Sequence, residues 1–465
     1  MPGRFSTVGL RLALAVIVFV VLAVAIYSRP AKRMVDFDQA FYLTVAYDLE
    51  RHGVFSNGVF DKVDSTQAEP PPGMFFGPLY PWLIRTAMAL DSRFATAVHC
   101  TIEANERGRG LSRCDIYAGP ILLIHVLLLT IGVLAVARSG EAIVGGLPAY
   151  ATSGILATAG VAVEADLLSF IMTESLWFCL ASVLMLTVIL GLTREHWGYF
   201  AVAGLLLGAL SLTKASFLIL APVLLILMAI HARWFSSGLG RFARNAAAFV
   251  AVFALVLTPW LTRNYAAFGR IAFSEEYGSL SLIERFAYND MTAKEFALAF
   301  PYCVPVVGPA IVNGLFGPDA TARFEWSHAG GFFKTGRAHR EALVAAHGRV
   351  DPIMGGLLRT ELQQNGWRHL ASSIPLAWCG LWVSGLWSVL MLPLFLIGCV
   401  AAVRRGKPLL LFYAAPAIVL VGLHAAVANH YSRYNLGLIG PFSVGAACLI
   451  SAMAPRRWRS CAPAP

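Results

Sequence analysis

Apolar runs of about 20 residues, the length that crosses a bilayer, recur along this chain. They cover 8–28, 117–137, 142–163, 169–192, 245–262, 381–403, 409–428 and 435–453. The stretch Tyr199–Ile230 is too long for one crossing and is interrupted at Thr213-Lys214, so it divides into 198–213 and 215–231. Two long segments, 29–116 and 263–380, separate groups of runs. The first holds "PPPGMFFGPLYPWLIRTAMAL" (Pro70–Leu90), apolar but studded with proline. This reads as a loop entering a short membrane-dipping helix; counted as a span, it raises the total from about ten to eleven. The second holds Ala299–Gly317 with Pro301, Pro305 and Pro309, a spacing that opposes a regular spanning helix and favours an interfacial or re-entrant piece. In Asp38–Arg51, Phe41, Val45 and Leu49 recur at helical spacing while Asp48, Glu50 and Arg51 point elsewhere, and Gly53 follows. That pattern predicts a short helix in the membrane interface, apolar side down. The expected fold is an all-α polytopic membrane protein with amphipathic helices in its outer loops. No internal repeat of fixed period is evident.

Composition agrees. Hydrophobic residues make up 58% and charged residues 13% of the 465-residue chain, and mean hydropathy is +0.67. Soluble proteins carry about 25% charged residues, so much of this surface requires lipid. The net charge of +10 would hint at nucleic acid in a soluble protein, but here the placement of charge decides. With the N-terminus inside, as Arg4 and Arg11 suggest, the short inner loops collect Arg138; Arg194 and His196; Arg233, Arg241 and Arg244; Arg404, Arg405 and Lys407; and Arg456, Arg457 and Arg459. Basic short loops stay cytoplasmic, so both termini are expected inside and both long segments outside. The run at 8–27 has no clean small-residue cleavage site after it and is read as a retained span. Three regions result: a transmembrane core, 1–262, that includes the outer loop 29–116; a long outer loop, 263–380; and C-terminal transmembrane helices, 381–465.

This topology gathers polar groups at the outer boundary: Asp36 and Asp38, Glu164 and Asp166, Glu174, Lys214, Arg263 and Asn264, and His430 and Arg433. An ionisable group inside the bilayer costs on the order of 2.5–3.5 kcal/mol, which marks Glu174 and Lys214 as functional candidates. The competing reading is structural: such groups pair and hold helices together. Asp38 could likewise be a helix N-cap, and His430 a neutral structural histidine. Cys100 and Cys114 share an outer loop and are candidates for a disulfide; Cys179, Cys379, Cys399 and Cys448, in or near spans, read as small apolar residues, and Cys461 is cytoplasmic in this topology.

"DQAFYLTVAYDLERHGVF" resembles the first outer loop of the GT-C superfamily of membrane glycosyltransferases. It is most similar to the branch of protein O-mannosyltransferases and lipid A aminoarabinose transferases. Asp38, Tyr42 and Gly53 fall at that branch's acidic, tyrosine and glycine positions, but Gln39 stands where a glutamate is usual. "EPPPGMFFGPLYPWL", "MTESLWFCLASVLML", "GALSLTKASFLILAPVLL", "TPWLTRNYAAFG" and "HYSRYNLGLIGP" resemble later segments in the same order. The likeness covers roughly 1–280 and 420–455; nothing comparable covers 290–375.

The resemblance implies transfer of a sugar from a polyprenyl-phosphate donor to an extracytoplasmic acceptor: a glycolipid, polysaccharide or protein. It implies a bacterial cell-membrane location with the active site facing the periplasm. Asp38 would be the base, with Asp36 a substitute and Glu174 a second carboxylate; Lys214, Arg263, His430 and Arg433 would hold the donor phosphate; Tyr42 and Asp166 would position the acceptor. The branch followed here uses no metal. The short acidic pairs "DFD" and "EAD" nonetheless keep a divalent cation such as Mg²⁺ open. Two rivals remain: a lipid or sugar transporter, which predicts related halves and a polar path through the bilayer, and an inactive relative, which Gln39 allows.

Overall fold

The computed structural model describes residues 7–36, 38–61, 63–106, 113–235, 238–406, 408–428 and 432–453. Its helices are α1 (Thr7–Tyr27), α2 (Gln39–Arg51), α3 (Leu79–Leu90), α4 (Ser92–Glu106), α5 (Gly119–Val144), α6 (Gly146–Val163), α7 (Ala165–Leu168), α8 (Glu174–Arg194), α9 (Trp197–Thr213), α10 (Leu220–Trp234), α11 (Leu239–Phe268), α12 (Tyr277–Phe286), α13 (Ala293–Tyr302), α14 (Gly308–Phe316), α15 (Phe332–His347), α16 (Asp351–Gly380), α17 (Leu386–Arg404), α18 (Leu409–Val427) and α19 (Ile439–Met453). Among the described residues nine helical segments are long and apolar enough to cross a membrane, and α9 is a shorter apolar helix of 17 residues. They match the ten predicted runs. The chain is a multi-pass, all-α membrane protein.

The chain forms two compact units. One holds the described parts of Met1–Phe273, Ile397–Tyr413 and Ser443–Pro465; the other holds Ser274–Leu396 and Ala414–Phe442. In the first, α11 packs on α9, α9 on α8 and α8 on α5, while α1 and α6 both pack on α5 and on each other. Small residues permit close approach: a Cβ on Gly204 of α9 would lie 2.3 Å from the Phe249 carbonyl oxygen of α11. Helices in lipid associate partly through the van der Waals packing that such close backbone approach allows. Arg11 of α1 meets Glu141 of α5 at 2.6 Å.

The short helices α2, α3 and α4 share a core of Leu43, Ala46, Tyr47, Tyr80, Ile84, Phe94, Val98 and Ile102, which continues into Ile121, Ile171 and Leu176. This corrects two expectations for α2. The helix does not lie with one face open, because Leu43 through Leu49 are all buried beneath α3, α4 and the 3-10 turn at Gly58–Phe60. Asp48 does not point outward; it is 1% exposed, and its carboxylate accepts the Ser56 hydroxyl. The chain that follows α2 folds back and supplies hydrogen bonds that make burial of its polar face affordable. As expected, α3 is too short to span; its 12 residues are about 18 Å long.

In the second unit, α13 and α14 are separate short helices around Pro301, Pro305 and Pro309, in keeping with the predicted break. The 30-residue helix α16 was not anticipated. The unit's centre is Arg285, 0% exposed, which donates to the carbonyls of Ala425 and His369, to the hydroxyls of Ser372 and Ser373, and to Asn289 Oδ1. Burial lowers this guanidinium to about 10. Two disulfides form, Cys100–Cys114 and Cys303–Cys379. The second corrects the reading of Cys379 as a small apolar residue: α16 carries it to the end of α13, where Cys303 waits.

Candidate functional site

The acid-bearing turn is held by Gln39, which is 1% exposed. Its Nε2 donates to Arg33 O at 2.8 Å and Asp36 O at 3.0 Å, and its Oε1 accepts from Ile171 N at 2.8 Å. One side chain thus joins the turn containing Asp36 and Asp38 to the non-helical break between α7 and α8. A glutamate would donate nothing to the two carbonyls, so the departure from the family pattern has a local physical cause. Asp38 occupies the N-cap position of α2, but its side chain makes no capping bond; its carbonyl takes the N–H groups of Phe41 and Tyr42. The N-cap reading of its carboxylate is therefore corrected.

On the other side of that bond, Glu174 opens α8. It is 4% exposed, and its Oε2 has no hydrogen-bond partner. Nearby, the fully buried Tyr80 hydroxyl meets His125 Nε2 at 2.9 Å, and His125 Nδ1 lies 3.4 Å from Leu168 O. A proton on Nδ1 lets Nε2 accept from Tyr80. Burial, then the charge of Glu174, then Tyr42, push the Tyr80 phenol well above its usual range and keep it protonated. Tyr42 packs edge-on against Tyr80 at 5.2 Å and against Phe76 at 5.2 Å. Phe41, Phe60 and Phe75 extend this aromatic wall.

The proline-rich segment, which supplies Phe75 and Phe76 to this wall, is pinned to the chain before it. Gly73 N donates to Phe55 O, and Asn57 Oδ1 accepts from Met74 N and Phe75 N. A Cβ on Gly73 would lie 2.3 Å from Asn57 N, and one on Gly77 would lie 2.3 Å from Leu212 O. Only glycine fits at either place. The second contact sets this segment against the α9 end at Lys214, which is half-buried and extended (φ −151°, ψ 117°). Trp177 of α8 packs on Phe217 just beyond the break, at 5.5 Å.

Arg263 binds the protein through both terminal nitrogens. Nη1 donates to Gly73 O at 2.6 Å and Asn264 Oδ1 at 2.9 Å, and Nη2 donates to Phe55 O at 2.8 Å. Its guanidinium also lies over the rings of Trp260, Phe268 and Phe55. Two predicted carboxylates have nearby cations: Asp36 pairs with Arg33 at 2.9 Å, and Asp166 with Lys32 at 2.5 Å. Arg433 belongs to the second unit, beside the Tyr434 ring at 5.2 Å. His430 lies outside the described residues.

Tyr80, His125 and the role of Gln39 were not read from the sequence. A histidine inside an apolar run was the available signal for His125. Among the described residues one group of carboxylates comes within metal-binding distance, Glu275, Glu276 and Asp351 of the second unit. Its oxygens take the N–H groups of Val350, Asp351 and Glu276 and the Ser279 hydroxyl, as a helix-capping cluster does.

The described helices are those of a polytopic helical membrane protein. The archaeal oligosaccharyltransferase AglB from Archaeoglobus fulgidus, in complex with an inhibitory peptide and a dolichol-phosphate, shares this fold: TM-score 0.52 at 14% identity, covering 95% of this chain and 50% of that one. The Archaeoglobus fulgidus enzyme tethered to an acceptor peptide aligns with TM-score 0.51 at 13% identity, over 94% and 49% of the two chains. The chain therefore spans about half the length of the oligosaccharyltransferase it matches. ArnT from Cupriavidus metallidurans bound to undecaprenyl phosphate aligns more loosely, at TM-score 0.43 and 14% identity over 96% and 79% of the chains. No family model matches the sequence, and no curated protein does.

Proposed function

We propose that this chain is a membrane glycosyltransferase that moves a sugar from a polyprenyl-phosphate donor to a hydroxyl or phosphate of an extracytoplasmic acceptor. The fold it shares with an oligosaccharyltransferase that holds a dolichol-phosphate supports this reading. The observation that carries it is the Gln39–Ile171 bond, which draws the Asp38 turn to the break where Glu174 begins α8. Two carboxylates from distant parts of the sequence thereby serve one aromatic-walled rim.

For a hydroxyl acceptor, the Asp38 carboxylate takes the proton as the acceptor oxygen bonds to the sugar's anomeric carbon. The bond from that carbon to the phosphate oxygen breaks, and polyprenyl phosphate leaves with the electron pair. Lys214 offers a point charge to the leaving phosphate. Glu174, almost fully buried, orients Asp38 or the acceptor, and Tyr42 and Asp166 border the acceptor's place. Arg263 is assigned to holding the Phe55 and Gly73 carbonyls, which shapes the rim. His430 and Arg433 keep their donor-phosphate roles on the sequence likeness alone. Asp36, paired to Arg33, is the reserve for Asp38. The acidic pairs "DFD" and "EAD" leave a divalent cation as a separate question for the assay.

The disulfides support the proposed sidedness. Cys100–Cys114 and Cys303–Cys379 both call for an oxidising compartment, which supports placing both long loops outside the cytoplasm. That requires α9 to cross the bilayer, and its 17 residues reach about 25 Å.

The test is turnover by the purified chain with a panel of polyprenyl-phosphate sugars, alongside Asp38→Asn, with and without chelator. The expected result is transfer that falls at least about 100-fold in the variant. Full activity of Asp38→Asn would remove it as base. Turnover with nucleotide sugars alone, or donor movement across vesicles without transfer, would overturn the assignment. Loss of transfer in chelator would add a metal to the site.

A further inference from the structure

We propose that α14 and the turn before it form a membrane anchor, whose uncharged face lies at the headgroup–acyl boundary of the leaflet on that side of the bilayer. The inference stands apart from the catalytic reading.

Residues 304–317 contain no charged side chain. Val307, Ile311 and Leu315 follow one another at i+4 spacing, so they share a face, and they are 48%, 51% and 73% exposed. Val306 and Phe316 flank that face, 69% and 53% exposed. The opposite face is packed: Val312 is 1% exposed, and a Cβ on Gly308 would lie 2.2 Å from Pro301 O. Isolated exposed apolar side chains are ordinary, but a contiguous uncharged face is an interaction surface. Val306 has φ of +68°, where glycine or asparagine would be easier.

The bilayer is the occupant because α14 is held at its edge. Cys303, just before α14, is bonded to Cys379 at the end of α16, and Trp378 Nε1 donates to Phe300 O at 2.8 Å. A short turn later Leu386 begins the membrane-spanning α17. Trp378 and Trp382 stand edge to face at 5.0 Å, the residue type that favours the membrane–water boundary. The exposure of α14 also matches that of its spanning neighbour, where Leu386 and Leu390 are 59% and 67% exposed. With 9 residues, α14 reaches about 14 Å, too short to cross, so it lies along the surface.

The test uses the full chain in phosphatidylcholine vesicles that contain a lipid with a photoreactive diazirine on its acyl chain. Irradiation and peptide mapping should find label on Val307, Ile311 and Leu315 as well as on α17. Ile311→Asp with Leu315→Asp should cut labelling of α14 at least about fivefold and leave α17 unchanged. Cys303→Ser with Cys379→Ser, which frees the staple, should lower it too. An unlabelled α14 beside a labelled α17 in the unaltered chain would overturn the proposal. So would crosslinks from this face to a second copy or another protein in place of lipid.

Discussion

Gln39 Oε1 accepts the Ile171 N–H at 2.8 Å, across 132 residues of sequence. The same side chain donates to Arg33 O and Asp36 O. These three bonds are buried or partly buried, so each lost partner leaves a desolvated group behind. Gln39→Glu removes both donors and sets a carboxylate against two carbonyl oxygens. We expect transfer to fall at least about tenfold and the protein to lose about 1–3 kcal/mol of stability. Kinetics and thermal unfolding of the variant check this; unchanged values in both would refute the link.

Glu174 is 4% exposed with one carboxylate oxygen unpartnered. A buried polar atom without a partner costs stability. Glu174→Gln should therefore raise the unfolding temperature while lowering kcat, the mark of a group kept for function. A variant less stable and equally active would mean that Glu174 only holds helices together.

Arg263 spans Phe55 O and Gly73 O with two different nitrogens. Lysine offers one ammonium and cannot reproduce the fork. Arg263→Lys should loosen the segment between Phe55 and Gly73, read as faster limited proteolysis there, with the transmembrane helices unaffected. If cleavage stays as slow as in the parent chain, Arg263 is not the clamp.

Asp48 gives a pH dependence. Burial raises its pKa; hydrogen bonds from Ser56 and Ser65 and the charge of His52 oppose this more weakly. A carboxyl whose folded pKa is raised favours the fold below the ordinary carboxylate pKa, and that contribution is lost as pH climbs through the raised value. Asp48→Asn should flatten this slope. Thermal melts across the acid-to-neutral range measure it, and an equal slope in the variant would exclude Asp48 as its source.

Ten apolar runs, the break at Thr213-Lys214 and the proline-limited helices around Ala299–Gly317 were all legible in the chain. Each depends on local properties: length in lipid, helix continuity and proline's missing N–H. What local pattern could not carry was partnership. The helical spacing of Phe41, Val45 and Leu49 predicted an open polar face on α2, but the returning chain at Ser56 buries Asp48. Cys379 looked like a small apolar residue until α16 delivered it to Cys303. Gln39 looked like a defect in a motif until Ile171 came within hydrogen-bond reach. Hydropathy is a property of one residue and its neighbours in sequence. A hydrogen bond, a disulfide or a filled glycine gap is a property of two segments, and only the folded chain brings them together.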